Sequence, residues 1–230
     1  MLPVVLLSGG LATRLRPHTE TIPKAMIDVA GKPFIHWQLK QLKEQGIGHV
    51  FLCIGYLGEQ IEEYIGDGSR YGLSVTYAYD GDKLLGTGGA IKKIIHQLPD
   101  AFFITYGDSY LDVSYKPIKE AFINSGKQGL MTVYKNKDLY DVSNVIFQNG
   151  QLLSYSKKYK SAEMHHIDYG LGILKKCAFD DFPEDKVFDL ADIYEKLATE
   201  NNLYGYEVFQ RFYEIGSPAG LDELREKLRK

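Results

Sequence analysis

The sequence predicts an α/β protein with a mostly parallel central sheet, helices on both of its faces and an antiparallel substructure in its second half. Strand patterns alternate with helix patterns over roughly the first 110 residues, which is typical of a parallel sheet covered by helices. The strand pattern at residues 4–7 is apolar throughout, as expected for a strand buried on both faces. An Asn149-Gly150 pair between two later strand patterns indicates an antiparallel hairpin.

In the first half, glycines follow most of the predicted strands. These strands are residues 4–7, 50–54, 73–79 and 101–106, and the predicted helices are residues 33–45, 59–65 and 90–98. In the first helix Phe34, Ile35 and Leu39 share one face, and Gly46 follows its end. We therefore expect this helix to pack against the sheet.

The second half has shorter strand patterns and two helices. The predicted strands are residues 130–134, 144–147, 151–155, 168–174 and 204–209, and the predicted helices are residues 189–199 and 220–230. No linker, repeat or low-complexity stretch divides the chain, so the sequence predicts one domain over residues 1–230.

Composition narrows the class of protein before any motif is considered. A net charge of −3 gives no general field that would attract nucleic acid or an anionic membrane. The apolar N-terminus lacks a basic segment and is too short for a signal peptide or a membrane span, so we expect a soluble cytoplasmic protein. Cys53 and Cys177 show no CxxC spacing, and we expect both to be small buried hydrophobes rather than a disulfide or a zinc site.

A glycine loop follows the first strand and carries candidate phosphate-binding residues. Ser8-Gly9-Gly10 ends the strand, and Arg14 and Arg16 come shortly afterwards. Glycines let backbone N–H groups approach phosphate closely, and arginine can hold phosphate oxygens in a fork. The dinucleotide pattern GxGxxG and the pattern GxxxxGK[ST] are both absent, which argues against a nicotinamide oxidoreductase. The alternative is a tight turn with two solvated arginines.

Two further segments favour a site at the same edge of the sheet. Gly86-Thr87-Gly88-Gly89 precedes a predicted helix, where free N–H groups bind an anion or a base edge; an ordinary turn is the alternative. Asp108 follows the strand at residues 101–106. An isolated Gly-Asp pair is usually just a turn, but a carboxylate at the end of a buried strand can present hard oxygen to a cation such as magnesium.

The N-terminal segment resembles the signature of the sugar-phosphate nucleotidyltransferase family, roughly LxGGxGTRLxPxTxxxPKxMxxVxGKP. One departure is Ala12, where the signature usually has glycine. The matching residues are Gly9, Gly10, Thr13, Arg14, Leu15, Pro17, Thr19, Pro23, Lys24, Met26, Gly31, Lys32 and Pro33.

The resemblance implies a Rossmann-like three-layer α/β/α fold with a small antiparallel sugar-binding substructure. It also implies a magnesium-dependent reaction that joins a sugar 1-phosphate to a nucleoside triphosphate and releases pyrophosphate. The implied catalytic residues are Arg14, Lys24 and Asp108, and the implied nucleotide-binding residues are Ser8, Gly9, Gly10, Thr13, Arg14, Gly86, Thr87 and Gly88. A nucleotide-binding half would cover about residues 1–112, and an acceptor-binding and C-terminal part about residues 113–230.

The family's metal site uses two carboxylates, which the resemblance assigns here to Asp108 and Glu214. The segment at residues 212–218 resembles the family's DxGTP, so Glu214 stands where relatives have the shorter aspartate. Glutamate can ligate magnesium after a small shift of the metal or the strand. The alternative is a rim carboxylate paired with Arg211.

The resemblance also assigns the sugar-phosphate site. Tyr155-Ser156-Lys157-Lys158 resembles the family's FxEKP, so Lys158 is the retained lysine and Lys157 replaces a glutamate that contacts sugar hydroxyls in relatives. Asn144, Asp168 and Gly170 are the other implied contacts. We expect the neighbouring His165-His166 to be a solvated loop pair, because adjacent strand residues point to opposite faces.

Several substrates and functions stay open at this point. Gly9-Gly10, rather than Ala-Gly, favours GTP or CTP, with UTP still allowed. The acceptor could be a non-sugar phosphate or phosphonate, and the protein could be a non-catalytic nucleotide-binding regulator. The 17 tyrosines suggest a homo-oligomer but also fit packing within one chain.

Overall fold

The computed structural model describes residues 1–10, 13–15, 17–81, 83–184 and 186–229, without the side chains of Arg14 and His18. The strands are β1 Val4–Ser8, β2 Asp28–Val29, β3 Lys32–Pro33, β4 His49–Ile54, β5 Ser74–Tyr79, β6 Ala101–Tyr106, β7 Ser109–Leu111, β8 Gly129–Tyr134, β9 Val145–Gln148, β10 Gln151–Tyr155, β11 Ile167–Lys175, β12 Leu203–Val208 and β13 Phe212–Glu214. The α-helices are α1 Phe34–Glu44, α2 Gly58–Ile65, α3 Gly86–Lys93, α4 Tyr115–Ser125, α5 Leu190–Thr199 and α6 Pro218–Leu228. Short 3₁₀ segments lie at Thr13–Leu15, His18–Glu20, Lys24–Met26, Ser69–Tyr71, Ile95–Gln97 and Lys176–Phe179.

The central sheet has seven strands in the order β12-β8-β11-β6-β1-β4-β5. β1 pairs in parallel with both β4 and β6, β4 with β5, and β12 with β8. β11 is antiparallel to both of its neighbours, β6 and β8. The prediction of a Rossmann-like fold with a mostly parallel sheet is therefore confirmed, and β1, β4, β5 and β6 all end at one edge of the sheet.

Alternate residues of β1 face opposite sides of the sheet. Val4 and Leu6 join a buried cluster with Ile35 of α1, and Val5 and Leu7 join a second cluster with Ile91 of α3. This period of two follows from the pleat of a strand. Because both faces are apolar, helices cover both faces, and the three layers result.

Two helices differ most from the predicted ones, and the short strands β2, β3, β7 and β13 were not predicted either. The helix α4 was not predicted, because its apolar residues Ile118 and Phe122 form only a narrow stripe and Pro117 argues against a helix interior. Pro117 lies in the first turn, where proline is tolerated. The helix α3 begins at Gly86, four residues before the predicted start, so the glycine cluster forms its first turn.

The smaller antiparallel pairs are β9 with β10, β7 with β13, and β2 with β3. The turn between β9 and β10 has positive φ at Asn149 (51°) and Gly150 (75°), as a two-residue hairpin requires. The predicted hairpin is confirmed. The β7–β13 pair joins the segment after Asp108 to a segment close to the end of the chain.

Two predictions about single residues were wrong. Cys53 is buried as expected, but Cys177 is exposed because the 3₁₀ turn at Lys176–Phe179 directs Phe179 into the core instead. His166 is not solvated: it bridges to Val145, is 6% exposed and lies with Nε2 3.2 Å from Glu207 Oε1. Within the described ranges, no helix has the length and apolar character needed to cross a bilayer.

Candidate active site

Two neighbouring cavities open at the edge where β1, β4, β5 and β6 end. The first, of about 270 Å³, is lined by Leu7, Ser8, Gly9, Gly10, Lys24, Ala25, Cys53, Asp80, Leu84, Gly86, Thr87, Ala90, Tyr106, Gly107 and Asp108. The second, of about 620 Å³, is lined by Thr13, Lys24, Tyr106, Asp108, Ser109, Tyr140, Asp141, Asn144, Lys157, Ile167, Asp168, Tyr169, Gly170, Phe212, Glu214, Gly216 and Ser217. Lys24, Tyr106 and Asp108 line both, so they form the junction between the cavities.

The glycine loop after β1 lies against the ends of β4 and β5. A Cβ on Gly9 would lie 3.1 Å from Asp80 Oδ2, and a Cβ on Gly55 would lie 2.8 Å from the Gly9 carbonyl oxygen. Glycine is therefore what allows these three segments to meet. Ser8, Gly9 and Gly10 line the first cavity and Thr13 lines the second. The Arg14 side chain and the residues Ala12 and Arg16 lie outside the described part of the chain.

The glycines at the start of α3 have two different roles: Gly86 lines the first cavity, and Gly88 makes a packing contact. Gly86 and Thr87 line the first cavity, whereas Gly88 does not. A Cβ on Gly88 would lie 2.3 Å from a ring carbon of Phe188, and its N–H donates to the Phe188 carbonyl at 3.1 Å. The close approach of Phe188 accounts for glycine at this position.

Asp108 lies in a tight turn between β6 and β7 that Gln38 of α1 holds. The Gln38 Nε2 donates to the carbonyl oxygens of Tyr106 and Ser109, each at 2.9 Å, and the side chain is almost fully buried. A Cβ on Gly107 would lie 1.8 Å from Ser8 Oγ, so glycine is required there. The sequence analysis missed Gln38, although a polar residue on the apolar face of a predicted helix is a recognisable signal.

Lys24 and Asp108 form an ion pair at the junction of the cavities. The Lys24 Nζ lies 2.8 Å from Asp108 Oδ2, and the two side chains are 19% and 40% exposed. The Ser109 hydroxyl donates to Asp108 Oδ1 at 3.1 Å. Phosphate groups in either cavity would meet the same ammonium and the same carboxylate.

Glu214 reaches the junction because β13 pairs with β7. It lies opposite Ser109 in that ladder, and the next N–H, of Ile215, donates to the Asp108 carbonyl at 2.9 Å. The Glu214 carboxylate accepts from the Gly216 N–H and from the Ser217 hydroxyl. The alternative ion pair with Arg211 is not formed, because Arg211 pairs with Glu223.

Asp108 and Glu214 fit a magnesium site. Both line the second cavity, and an ionised carboxylate has about four acceptor positions, of which each uses two in the contacts above. Magnesium usually takes one or two protein carboxylates and completes its shell with water and substrate phosphate. Across the described residues, no group of three His, Cys, Asp or Glu side chains is arranged to hold a metal ion.

A bulge in β11 builds the wall of the second cavity. The pairing with β8 shifts between Asp168 and Gly172, and Gly170 within the shift has a φ of +96°. The Asp168 N–H donates to Asn144 Oδ1 at 2.9 Å, and Asp168 Oδ1 accepts from the Gly170 N–H at 3.0 Å. Burial raises the pKa of Asp168, while nearby Lys157 opposes the rise. Asn144, Asp168 and Gly170 all line this cavity.

The structure brings Lys157 to the second cavity and directs Lys158 elsewhere. The Lys157 Nζ lies 3.3 Å from Asp189 Oδ1, and the residue lines the cavity. Lys158 pairs with Asp192 of α5 at 3.1 Å, with its side chain 68% exposed. The side chains of these two consecutive lysines have different partners, Asp189 and Asp192. The resemblance to FxEKP therefore does not by itself place Lys158 on the cavity.

Buried tyrosine hydroxyls surround Asp168. The hydroxyls of Tyr106 and Tyr155 have no hydrogen-bond partner among the described residues. Burial, followed by the charge of Asp168, raises the pKa of both well above the ordinary value. These buried hydroxyls therefore stay protonated. The sequence analysis assigned neither tyrosine a role.

The fold and the site together define a class of protein: an α/β protein with two cavities at the strand ends of its sheet, which meet at a lysine–aspartate pair. The comparison with family models is more specific. The nucleotidyl transferase model matches residues 3–143, and the chain belongs to that family.

Relatives extend the similarity over most of the chain. The chain is 31% identical to a D-glycero-alpha-D-manno-heptose 1-phosphate guanylyltransferase of Campylobacter jejuni, covering 93% of this chain and 94% of that protein. It is 29% identical to a UTP–glucose-1-phosphate uridylyltransferase of Synechocystis, covering 84% of this chain but only 54% of that protein. The chain therefore spans about half the length of the second relative.

A solved structure gives the same result for the fold. The crystal structure of HddC from Yersinia pseudotuberculosis complexed with GMP-PN superposes with a TM-score of 0.82 at 27% identity, covering 99% of this chain and 100% of that one. The two relatives are named for sugar 1-phosphate substrates. They favour the sugar-phosphate hypothesis over a non-sugar acceptor or a non-catalytic regulator.

Proposed function

We propose that the protein transfers the nucleoside monophosphate of a nucleoside triphosphate to a sugar 1-phosphate, giving a nucleoside diphosphate sugar and pyrophosphate. The observation that carries the proposal is the Lys24–Asp108 pair, with Nζ and Oδ2 2.8 Å apart, at the wall shared by two cavities. A transfer between two phosphorylated substrates needs a place where the phosphate groups of both substrates meet. The proposal divides the chain at about residue 112 into a nucleotide-binding half and an acceptor-binding part.

In the proposed reaction, an oxygen of the acceptor phosphate forms a bond to the α-phosphorus of the triphosphate. The bond from that phosphorus to the bridging oxygen of the β-phosphate breaks, and its electron pair leaves with pyrophosphate. The acceptor phosphate is already ionised near neutral pH, so no general base is needed. The barrier arises mainly from charge repulsion and misalignment, which the protein lowers by positioning and electrostatics.

The roles of individual residues follow from charge. Lys24 holds phosphate oxygens in line at the junction, and Arg14 stabilises the departing pyrophosphate. Asp108 and Glu214 hold magnesium, which neutralises charge on the phosphate oxygens when it is bound. The Gly9 and Gly10 backbone and Thr87 line the nucleotide side.

GTP is the proposed nucleotide. The half-buried Asp80 carboxylate lines the first cavity beside Gly9, and guanine presents two adjacent donors, N1–H and N2–H₂, that one carboxylate can accept together. Uracil offers one ring N–H, and cytosine offers one amino group beside an acceptor. The guanylyltransferase relative and the GMP-PN complex of HddC support the same nucleotide. CTP and UTP are the alternatives.

A sugar 1-phosphate such as a heptose or mannose 1-phosphate is the proposed acceptor. Asp168 and Asn144 provide acceptors for sugar hydroxyls in the second cavity, and Lys157 provides a cation. Lys158 is assigned no contact, because its ammonium is held by Asp192. A cytoplasmic location, where nucleoside triphosphates are made, and a homo-oligomer are part of the proposal.

The experiment is magnesium-dependent pyrophosphate release over a grid of GTP, CTP and UTP against heptose, mannose and glucose 1-phosphates and phosphocholine. Release with GTP and one sugar phosphate, lost on chelation of magnesium, would support the proposal. Release with CTP or UTP would correct the nucleotide, and release with phosphocholine alone would correct the acceptor. Triphosphate binding without release in any combination would overturn the transferase function.

A further inference from the structure

A groove lined by basic side chains lies outside both cavities of the candidate active site. Its volume is about 490 Å³, and it is lined by Lys32, His36, Lys40, Lys43, Glu44, Tyr64, Arg70 and Tyr71. One wall is the outer face of α1, since positions 36, 40 and 43 recur at helical spacing. The other wall is the end of α2 and the 3₁₀ turn Ser69–Tyr71. We call it the basic groove.

The positive charge of the basic groove is not compensated. It contains four cationic side chains and one carboxylate, although the whole chain carries a net charge of −3. None of Lys32, Lys40, Lys43 or Arg70 forms a salt bridge with another described residue. Concentrated unpaired charge in a concave place is typical of an anion site.

Part of the basic groove is held in place. The Arg70 guanidinium lies 4.3 Å from the Tyr64 ring centre and 5.0 Å from that of Tyr71, and it donates to the Tyr64 carbonyl. The Lys43 Nζ donates to the Gly72 carbonyl at 2.6 Å. These contacts reduce the side-chain freedom that an anion would otherwise have to remove on binding.

The pKa of His36 responds to the charges of the basic groove. Its ring is edge-on to Tyr71, with Nδ1 3.3 Å from the Tyr71 hydroxyl. Burial, followed by the charges of Lys32, Lys40 and Arg70, lowers the pKa of His36. An anion bound among the same cations would oppose that effect and raise the pKa.

We propose that the basic groove is a second binding site, separate from the candidate active site, for a small soluble compound that carries two or more phosphate groups. Four cations around one concave space match several negative charges rather than one. A volume of about 490 Å³ lies in the usual range for a small-molecule site. The site is independent of the transfer reaction, so its test does not depend on the proposed function.

The test is a titration of the intact protein with inorganic tripolyphosphate at constant ionic strength, followed through the His36 imidazole signal by NMR. Tripolyphosphate at the triphosphate site does not contact His36, so this signal reports the basic groove. We expect a saturable change and a rise in the pKa of His36 by roughly half a unit or more. A His36 signal that changes only with ionic strength would overturn the proposal.

Two double variants separate the site from general charge effects. Lys40→Glu with Arg70→Glu should weaken the titration by about tenfold or more, since charge-assisted contacts are lost. Lys116→Glu with Lys119→Glu on α4 makes the same charge change elsewhere on the surface. This variant should keep its affinity for tripolyphosphate within about twofold of the wild-type value. If both double variants lost the same share of their affinity for tripolyphosphate, the proposal would be overturned. Binding of the protein to phosphatidylglycerol vesicles without binding to tripolyphosphate would also overturn it. If the first variant does not fold, Lys40→Gln with Arg70→Gln replaces it.

Discussion

The two cavities of the candidate active site are built in different ways. The first is formed largely by backbone and small side chains where parallel strands end, including Gly9, Gly10 and Gly86. The second is formed mostly by polar and aromatic side chains, including Asp168 and Tyr169 of β11 and Phe212 and Glu214 of β13. A backbone surface suits a ligand part common to many substrates, such as a triphosphate, whereas side chains can differ for each acceptor.

Loss of the carboxylate at the junction should have the largest effect, because both cavities depend on it. Asp108→Asn should lower kcat by about 10³-fold or more and remove the response to magnesium. The measurement is pyrophosphate release at increasing magnesium concentration. Asp112→Asn is the matched control, since Asp112 is exposed and pairs with Lys227. An unchanged magnesium dependence in Asp108→Asn would place the metal elsewhere.

Lys24→Met should lower kcat by about 10²-fold, because the ammonium lines both cavities and would stabilise phosphate charge on either side of the junction. Lys116→Met, on the exposed face of α4, removes the same charge away from the site and should change kcat little. Steady-state kinetics with both substrates varied tests this. If only one substrate's KM rises and kcat is kept, Lys24 belongs to one cavity and the shared-junction interpretation is wrong.

Asp80→Asn should act on the first cavity alone, raising the KM for GTP by roughly 30-fold through loss of a paired acceptor. Burial raises the pKa of Asp80, although Lys93 and the Leu85 N–H oppose the rise. Protonation removes the acceptor, so GTP binding should weaken as pH falls through this raised pKa. Measuring KM for GTP from pH 7 downward tests both, with Asp100→Asn as the control. If Asp80→Asn raised the acceptor KM as much as the GTP KM, Asp80 would not act on the first cavity alone.

Gln38→Leu should lower kcat by roughly tenfold while leaving both KM values unchanged, because the Asp108 turn loses its two amide donors. It should also lower the free energy of unfolding by about 2 kcal/mol, since the carbonyls of Tyr106 and Ser109 lose a partner. Gln41→Leu changes a second buried glutamine of α1 and is the control. If both variants lose the same activity, the effect is one of helix packing.

Lys157→Met should have the smallest effect, a rise of about fivefold in the acceptor KM with the GTP KM unchanged, because a partly exposed charge is screened by solvent. Lys158→Met is the matched control and should be close to wild type, since Lys158 faces Asp192. Initial rates with the acceptor varied separate the two. A larger effect from Lys158 would mean that the family pattern, rather than the observed contact, identifies the acceptor residue.

The difference between the cavities also explains how much could be predicted from sequence. The strands of the first half end in glycines and in Asp108, so local patterns place Ser8, Gly9 and Asp108 at one sheet edge. The family signature then adds Lys24. These predictions need only strand order and direction, which alternating strands and helices supply.

The second cavity depends on pairings that no local pattern contains. Glu214 reaches Asp108 only through the ladder between β13 and β7, whose strands are about a hundred residues apart. The separate directions of Lys157 and Lys158 depend on the acids of α5. His166 is buried because Val145 pairs beside it. Sequence analysis can assign such residues a role, but it does not give the direction in which their side chains point.

The ladder between β7 and β13 has a consequence for how the protein is made. Ile215 donates to the Asp108 carbonyl, and Glu214 lies opposite Ser109, so the turn at the junction is completed by residues that are synthesised about a hundred positions later. A nascent chain folds from its N-terminal side as it emerges. Asp108 is therefore made about a hundred residues before Glu214, and these two carboxylates come together only after synthesis reaches β13.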